Sequence, residues 1–215
     1  NEIFTTAAVV GREFTLDVLR VLAEDTTEGQ LLDVLDEALN ARIIEELPEA
    51  AGDYRFTHAL FQETFTGELS AARRVRLHAR IAEALEELYG GDADAHASKL
   101  VPHFAEAEPL IGSEKLVHYS VVAGEQALAS FGYEDAERLF RQARLLDPRS
   151  AAALEGLGQV ALERGDQASA VDFFERALAL EPAATRLHYP LAVAYRGLGD
   201  VDKADAHLEQ RGDGE

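Results

Sequence analysis

The sequence contains no cysteine, which excludes disulfide bonds and zinc sites built from thiolates. It has no apolar run near the roughly 20 residues that a membrane-spanning helix needs, and no basic segment that would open a secretory signal. We therefore expect a cytoplasmic protein without a membrane partner. Methionine is absent as well and the chain starts at Asn1, so we expect it to be part of a longer protein.

Positive charge is also scarce in this chain. The 20 Lys and Arg residues stand against 40 Asp and Glu residues, which gives a net charge of -20. Nucleic-acid binding depends on clustered cations that contact phosphates, and an anionic membrane surface would repel such a chain. The composition therefore disfavours nucleic acid as a partner.

Nucleotide, metal and catalytic signatures are missing too. No run matches the phosphate-binding pattern G-x-x-x-x-G-K-[ST], so we expect this chain alone to bind no ATP and no other cofactor. His96 and His103 give a weak metal signal, but no third ligand accompanies them. No serine, histidine and aspartate arrangement stands out above chance. The sequence therefore predicts neither a metal site nor an enzyme.

The feature that is present is an internal repeat of 34 residues. Gly165 and Gly199, each followed by Asp, are separated by this period, and so are Pro148 and Pro182. The register defines units 117–150, 151–184 and 185–215. Matching positions carry residues of matching size: Gly124, Gly158 and Ala192; Ala136, Ala170 and Ala204; Phe140, Phe174 and Leu208; and Ala143 and Ala177, against Arg211 in the third unit. Small residues let two helices approach, and large ones fill the gap to the next pair.

This pattern resembles the tetratricopeptide repeat, in which antiparallel helical hairpins stack into a solenoid. The resemblance implies a binding surface for a protein or peptide. The third unit loses the pattern after Leu208, where Gln210, Arg211, Gly212, Asp213 and Gly214 follow. Either the array continues in a longer protein, or its end packs against another element.

The first part of the chain predicts short helices and a β-hairpin. Residues 3–10 form an apolar helical run, Thr15 can cap a second helix, and Thr27 with Gln30 gives the capping-box pattern of a third. Two β-prone runs, 43–47 and 54–57, flank a turn-forming segment at 48–53. Three helices and a hairpin predict a winged-helix domain over residues 1–70.

A helical connection is predicted over residues 71–116. Ser70 can cap a long helix that ends at Gly90, and Asp92 or Asp94 can start the next one. We expect Pro102 to kink that helix and Ser113 to cap the helix that enters the first repeat. The predicted fold is thus mainly α: a small winged-helix domain, a degenerate helical hairpin, and three repeat units over 117–215.

Three segments carry a second resemblance. The runs AAVVGREF at 7–14, YRFTHAL at 54–60 and RRVRLHARIAEAL at 73–85 are similar to the winged-helix and repeat arm of bacterial signal-transduction ATPases with numerous domains (STAND). These include MalT-like and LuxR-type regulators and adenylate-cyclase-linked ATPases. The resemblance implies a non-catalytic regulatory arm whose partner is an upstream nucleotide-binding domain of the same protein, so that ADP or ATP would be held by that domain and not by this chain.

His58 has a specific role by this resemblance. It lies where the family places a histidine near the ADP phosphates, although Ala59 stands where one form of the motif has an aspartate. A histidine can donate to a phosphate and change charge near neutral pH. The alternative is that His58 only caps the helix that follows.

The repeat register predicts a partner groove, because the first helix of each tetratricopeptide unit lines the concave surface. The predicted groove residues are His118, Val121, Glu125, Leu128, Glu155, Gln159, Leu162, Arg186, Tyr189, Val193 and Arg196. Tyr189 and Arg196 are the expected anchors, since aromatic and Arg side chains dominate binding hot spots. Acidic residues in the first two units and Arg in the last predict a ligand with the opposite charge order.

The alternative function is a transcription regulator that binds DNA through the winged helix. Its third helix would enter the major groove, but that helix carries Glu28, Asp33, Asp36 and Glu37. The basic cluster Arg73, Arg74, Arg76 and Arg80 is the one opposing signal. Ion pairs with neighbouring acidic residues at helical spacing are the favoured explanation of it. The sequence therefore favours a protein-binding role.

Overall fold

The computed structural model describes residues 2–23, 26–48, 51–67 and 69–212. It divides the chain into two compact units, Asn1–Gly112 and Ser113–Glu215. Part of the predicted hairpin turn, Glu49 and Ala50, lies outside the described residues, as do Asp213 and Gly214 at the end of the third unit.

The first unit starts with three short helices and a small antiparallel sheet. The elements are α1 (Glu2–Val10), β1 (Glu13–Thr15), α2 (Leu16–Leu22), α3 (Glu28–Asn40), β2 (Ile44–Glu46) and β3 (Asp53–Phe56). The predicted caps are confirmed: the Thr15 hydroxyl accepts from the backbone N–H of Val18, and Thr27 and Gln30 form a capping box. Phe56, Leu31, Leu35 and Ile44 are buried in the core between the helices and the sheet.

The sheet has one strand more than the sequence predicted. Its order is β1-β3-β2, with Phe14 opposite Tyr54 and Ile44 opposite Phe56. Strand β1 has only three residues, too few for the apolar alternation by which a strand is recognised. The Phe14 ring lies 5.3 Å from the Phe56 ring, so β1 contributes an aromatic side chain to the core.

Three further helices complete the first unit: α4 (Ala59–Gly67), α5 (Ala71–Tyr89) and α6 (Ala97–Ile111). Ser70 caps α5 through the backbone N–H of Arg73, as predicted. The predicted start of the next helix at Asp92 or Asp94 is wrong, because residues 90–96 form a 3₁₀ turn and α6 begins at Ala97. Helices α5 and α6 pack against each other, and their buried residues include Ile81, Leu85, Leu100 and Phe104.

The second unit consists of three helical hairpins. Its helices are α7 (Glu114–Ala129), α8 (Tyr133–Leu146), α9 (Ala151–Glu163), α10 (Gln167–Leu180), α11 (His188–Gly197) and α12 (Val201–Gly212). Ser113 lies at the N-cap of α7, but the predicted side-chain cap is wrong: the serine hydroxyl makes no capping bond, and its carbonyl accepts from Val117. Helix α12 continues beyond Leu208, so the loss of the repeat pattern there does not end the helix.

Phenylalanine and glycine set the spacing of the hairpins. Phe140 and Phe174 are fully buried. A Cβ on Gly124 would lie 2.7 Å from the Phe140 ring, and one on Gly156 of the next hairpin only 2.4 Å from it. Phe140 thus packs against backbone on two sides. The small and large positions predicted from the repeat are buried as expected from Gly124 to Ala204, and Leu208 is half-buried.

Candidate functional site

The predicted groove residues lie on α7, on α9, on the short 3₁₀ turn Thr185–Leu187 and on α11, which follows that turn. His118, Glu125, Arg186, Tyr189, Val193 and Arg196 are exposed, and Val121, Leu128, Glu155, Gln159 and Leu162 are half-buried. Tyr189 and Val193 are 52% and 39% exposed one helical turn apart. They form an exposed apolar patch on α11.

Arg186 is already bound to carboxylates of its own chain. Its guanidinium lies 2.8 Å from Glu155 of α9 and 3.1 Å from Glu181. Hydrogen bonds to Glu155, then to Glu181, raise the pKa of Arg186. This contact joins the second hairpin to the third and neutralises Glu155, so the predicted separation of acidic and basic ends is weaker than the sequence indicated.

Arg196, a predicted anchor, is also paired. Its guanidinium contacts Asp205 of α12 at 3.1 Å, and both side chains are more than half exposed. Exposed pairs of this kind are worth about 0.2–1 kcal/mol, so a ligand could compete for Arg196 at low cost. Tyr189 and Val193 are the better anchors of the original set, since their apolar surface gains from burial.

A second part of the site was missed by the sequence reasoning. A depression of about 300 Å³ is lined by Glu125, Leu128, Ala129, Phe131, Tyr133, Gln159 and Glu163. Phe131 and Tyr133 lie in the turn after α7 and at the start of α8, outside the first helices to which the repeat register points. The available signal was the alignment of Phe131 with Gly165 and Gly199 at the 34-residue period.

Glu163 is held in place within this depression. The Gln159 amide donates to one of its carboxylate oxygens at 3.1 Å, and the Tyr133 hydroxyl lies 3.4 Å from the other. The Phe131 and Tyr133 rings meet edge to face with centroids 6.4 Å apart. The depression therefore combines two aromatic rings with a fixed carboxylate.

Comparison with known proteins supports the repeats. Two family models, each described as a tetratricopeptide repeat, match residues 123–185 and 161–213. The second unit carries tetratricopeptide repeats. No curated protein sequence matches the chain.

Solved structures of similar fold include two of MamA. One superposes with a TM-score of 0.51 at 16% identity and covers 74% of this chain and 95% of that one. The other has a TM-score of 0.50 at 17% identity and covers 70% and 84%. At such identities the likeness concerns the fold alone.

His58 lies in the bend between β3 and α4 and is exposed. Its carbonyl accepts from the backbone N–H of Phe61 at the start of α4, and its ring lies 6.2 Å from the Phe61 ring. The main chain of His58 thus begins the helix, and the imidazole is left on the surface of the first unit.

Two pairs of histidines come together that the sequence did not predict. Nδ1 of His78 lies 3.0 Å from Nδ1 of the buried His103, and His188 pairs with His207 in the same way at 2.9 Å. Burial, followed by the neighbouring His78, lowers the pKa of His103 to about 4. In each pair the two Nδ1 atoms lie at hydrogen-bond distance, so one ring can donate to the other.

The other predictions about ligands concern metals and membranes. Within the described ranges no three His, Cys, Asp or Glu side chains group as a metal would require; His96 stacks on Tyr89 at 4.0 Å and His103 pairs with His78. In the same part of the chain, no helix combines the length and the apolar character that crossing a bilayer demands.

The exposed face of α3 is acidic. Its surface residues Glu28, Asp33, Asp36 and Glu37 would repel phosphates from a helix placed in a DNA groove. In the basic cluster of α5, Arg74 contacts Glu106 of α6 at 3.4 Å, and Arg80 donates to the Leu22 carbonyl at 2.9 Å. Two of the four arginines of this cluster are therefore bound within the first unit, which weakens the one signal for the DNA-binding alternative.

Proposed function

We propose that this chain is a non-catalytic interaction module that binds a segment of a partner protein along α7, α9 and α11. The observation that carries the proposal is the exposed patch of Tyr189 and Val193 on the repeat face that binds ligands in tetratricopeptide proteins. Apolar surface of this kind gains free energy when a partner removes it from water.

We further propose that the module is the regulatory arm of a STAND-type ATPase. In support, the first unit has the element order helix, strand, helix, helix, strand, strand, with a three-stranded antiparallel sheet, as expected of a winged helix. The exposed imidazole of His58 is available to an upstream nucleotide-binding domain. The repeats would then bias that domain between an off and an on arrangement by preferring one of them.

The partner-binding proposal is tested with a Tyr189→Ala/Val193→Ala variant. A protein captured by the native chain, identified and then titrated, should bind the variant at least about tenfold more weakly. Leu145→Ala is the control, because Leu145 is 82% exposed on α8, a second helix of a hairpin. If the captured protein binds the native chain and both variants with equal affinity, the proposed groove is not its binding site.

The ATPase proposal is tested in the parent protein. The gene region that precedes Asn1 should encode a phosphate-binding G-x-x-x-x-G-K-[ST] segment, and His58→Ala should speed the release of bound ADP. A parent without that segment, or an ADP release rate that His58→Ala leaves unchanged, would contradict the role in a STAND-type ATPase but not the groove.

A further inference from the structure

The turn between α7 and α8 contains a residue in an unfavourable backbone conformation. Phe131 has φ of +61°, and the equivalent turns of the next two hairpins have Gly165 and Gly199 at +78° and +82°. All three turns are closed by the same pair of backbone bonds, here Phe131 to Leu128 at 3.0 Å and Gly132 to Ala127 at 2.8 Å. This helix-ending motif normally takes glycine, because a Cβ is strained in the left-handed region.

Packing does not explain the phenylalanine at this position. Its side chain is 77% exposed, so the ring contributes little burial to offset the backbone strain. Residues held in strained backbone conformations cluster at functional sites. The ring instead borders the depression that contains Tyr133, Glu125 and Glu163.

The chemistry of the depression selects its ligand. An aromatic ring attracts a cation over its face, and Glu163 is fixed by Gln159 and Tyr133 at the same place. A planar guanidinium can meet a carboxylate and stack on a ring at once. The net charge of -20 favours the approach of a basic segment.

We infer that Phe131, Tyr133 and Glu163 form a subsite for an arginine side chain of the partner segment. The inference rests on the proposed groove, and it specifies that the segment bound there carries a positive charge. The Leu128 and Ala129 side chains in the same depression would contact an apolar residue next to that arginine.

The test uses the ¹⁵N-labelled full chain and the peptide acetyl-Leu-Arg-Leu-amide, with the citrulline peptide as its neutral isostere. The arginine peptide should shift the amide signals of Phe131 and Gly132, and the citrulline peptide should shift them at least about tenfold less at equal concentration. Glu163→Gln should remove this preference. Leu145→Ala, which changes another highly exposed side chain, should keep it.

Phe131→Gly separates a binding role from a structural one. It should weaken the response to the arginine peptide at least about tenfold and at the same time raise Tm by about 4 °C, because the turn strain is relieved. A lower Tm would show that the ring is needed for folding and would overturn the inference. Equal shifts from both peptides, or no shift at the turn, would also overturn the inference. The proposed groove would still stand in that case if a partner protein binds the native chain more tightly than the Tyr189→Ala/Val193→Ala variant.

Discussion

At the scale of single residues, the close contact of glycine with phenylalanine controls the repeat core. A Cβ on Gly158 would lie 2.7 Å from the Phe174 ring. The third hairpin has Ala192 and Leu208 at the equivalent positions. Alanine is larger than the glycine it replaces, and leucine is smaller than the phenylalanine it replaces. The repeat pattern predicts the pairing of a small residue with a large one at these two positions. It does not predict the contact of Gly156 with Phe140, since Val122 and Pro190 occupy the positions that match Gly156 in the other units.

Gly158→Ala should therefore destabilise the second unit by about 1–3 kcal/mol through overpacking. In the Gly158→Ala/Phe174→Leu double variant, which reproduces the third hairpin, the loss should be smaller than the sum of the two single losses by about 1 kcal/mol. Urea unfolding followed by circular dichroism measures all three values. Strict additivity would mean that the two side chains do not compete for the same space.

The His78 and His103 pair gives the first unit a dependence on pH. The pKa of His103 is about 4 in the folded chain and about 6.5 when unfolded. Below pH 6.5 the unfolded state binds a proton that the folded state excludes, so stability is lost as pH falls from about 6.5 toward 4. Burial also lowers the pKa of His78, against the opposing charge of Glu106.

The loss expected from His103 between pH 7 and pH 5 is about 2 kcal/mol. His103→Gln removes the titrating group, so its unfolding free energy should change less over this range than that of the native chain. If the His103→Gln and native curves run parallel, protonation of His103 does not govern the acid sensitivity.

At the scale of elements, the sequence predicted helices well where caps and periodicity agreed. Thr15, Thr27 and Ser70 each accept the backbone bond expected of a cap. Strand β1 and the 3₁₀ turn at 90–96 were not predicted, because each is short and owes its conformation to neighbours. A serine at a helix start is likewise only a candidate cap, since the hydroxyl has to rotate toward a free N–H.

Two serines of the second unit make this difference measurable. Ser150 accepts from the backbone N–H of Ala153 at 3.2 Å, whereas the hydroxyl of Ser113 makes no capping bond. Ser150→Ala should cost about 1 kcal/mol, and Ser113→Ala only a few tenths at most. Equal losses in urea unfolding would contradict the assigned geometry of the two helix starts.

At the scale of the whole molecule, the repeats were predictable and the ligand-facing chemistry was less so. The 34-residue period predicts that α7, α9 and α11 line the groove, because the period can be read from the sequence alone. It could not reveal that Arg186 binds Glu155, or that Phe131 and Glu163 line one depression, because these residues belong to different hairpins. Charge order read along a sequence therefore misjudges a groove in which the charges pair internally.

The strong negative charge makes salt a further test of the binding mode. A basic partner segment should bind more weakly as NaCl rises from 50 to 500 mM, because the attraction is screened beyond roughly 10 Å at 0.1 M salt. Affinity measured by calorimetry with the captured partner should fall by about tenfold or more. An affinity that rises with salt would indicate purely apolar docking, with no part for Glu163.

The central claim is that a partner lies along the first helices of the repeats, and hydroxyl-radical footprinting of the complex tests it most directly. This method oxidises exposed side chains and reports each by mass spectrometry. On addition of the captured partner, oxidation of Tyr189 and Phe131 should fall severalfold, while that of Leu145, exposed on α8, should stay the same. Protection of Leu145 with Tyr189 and Phe131 unchanged would contradict the account.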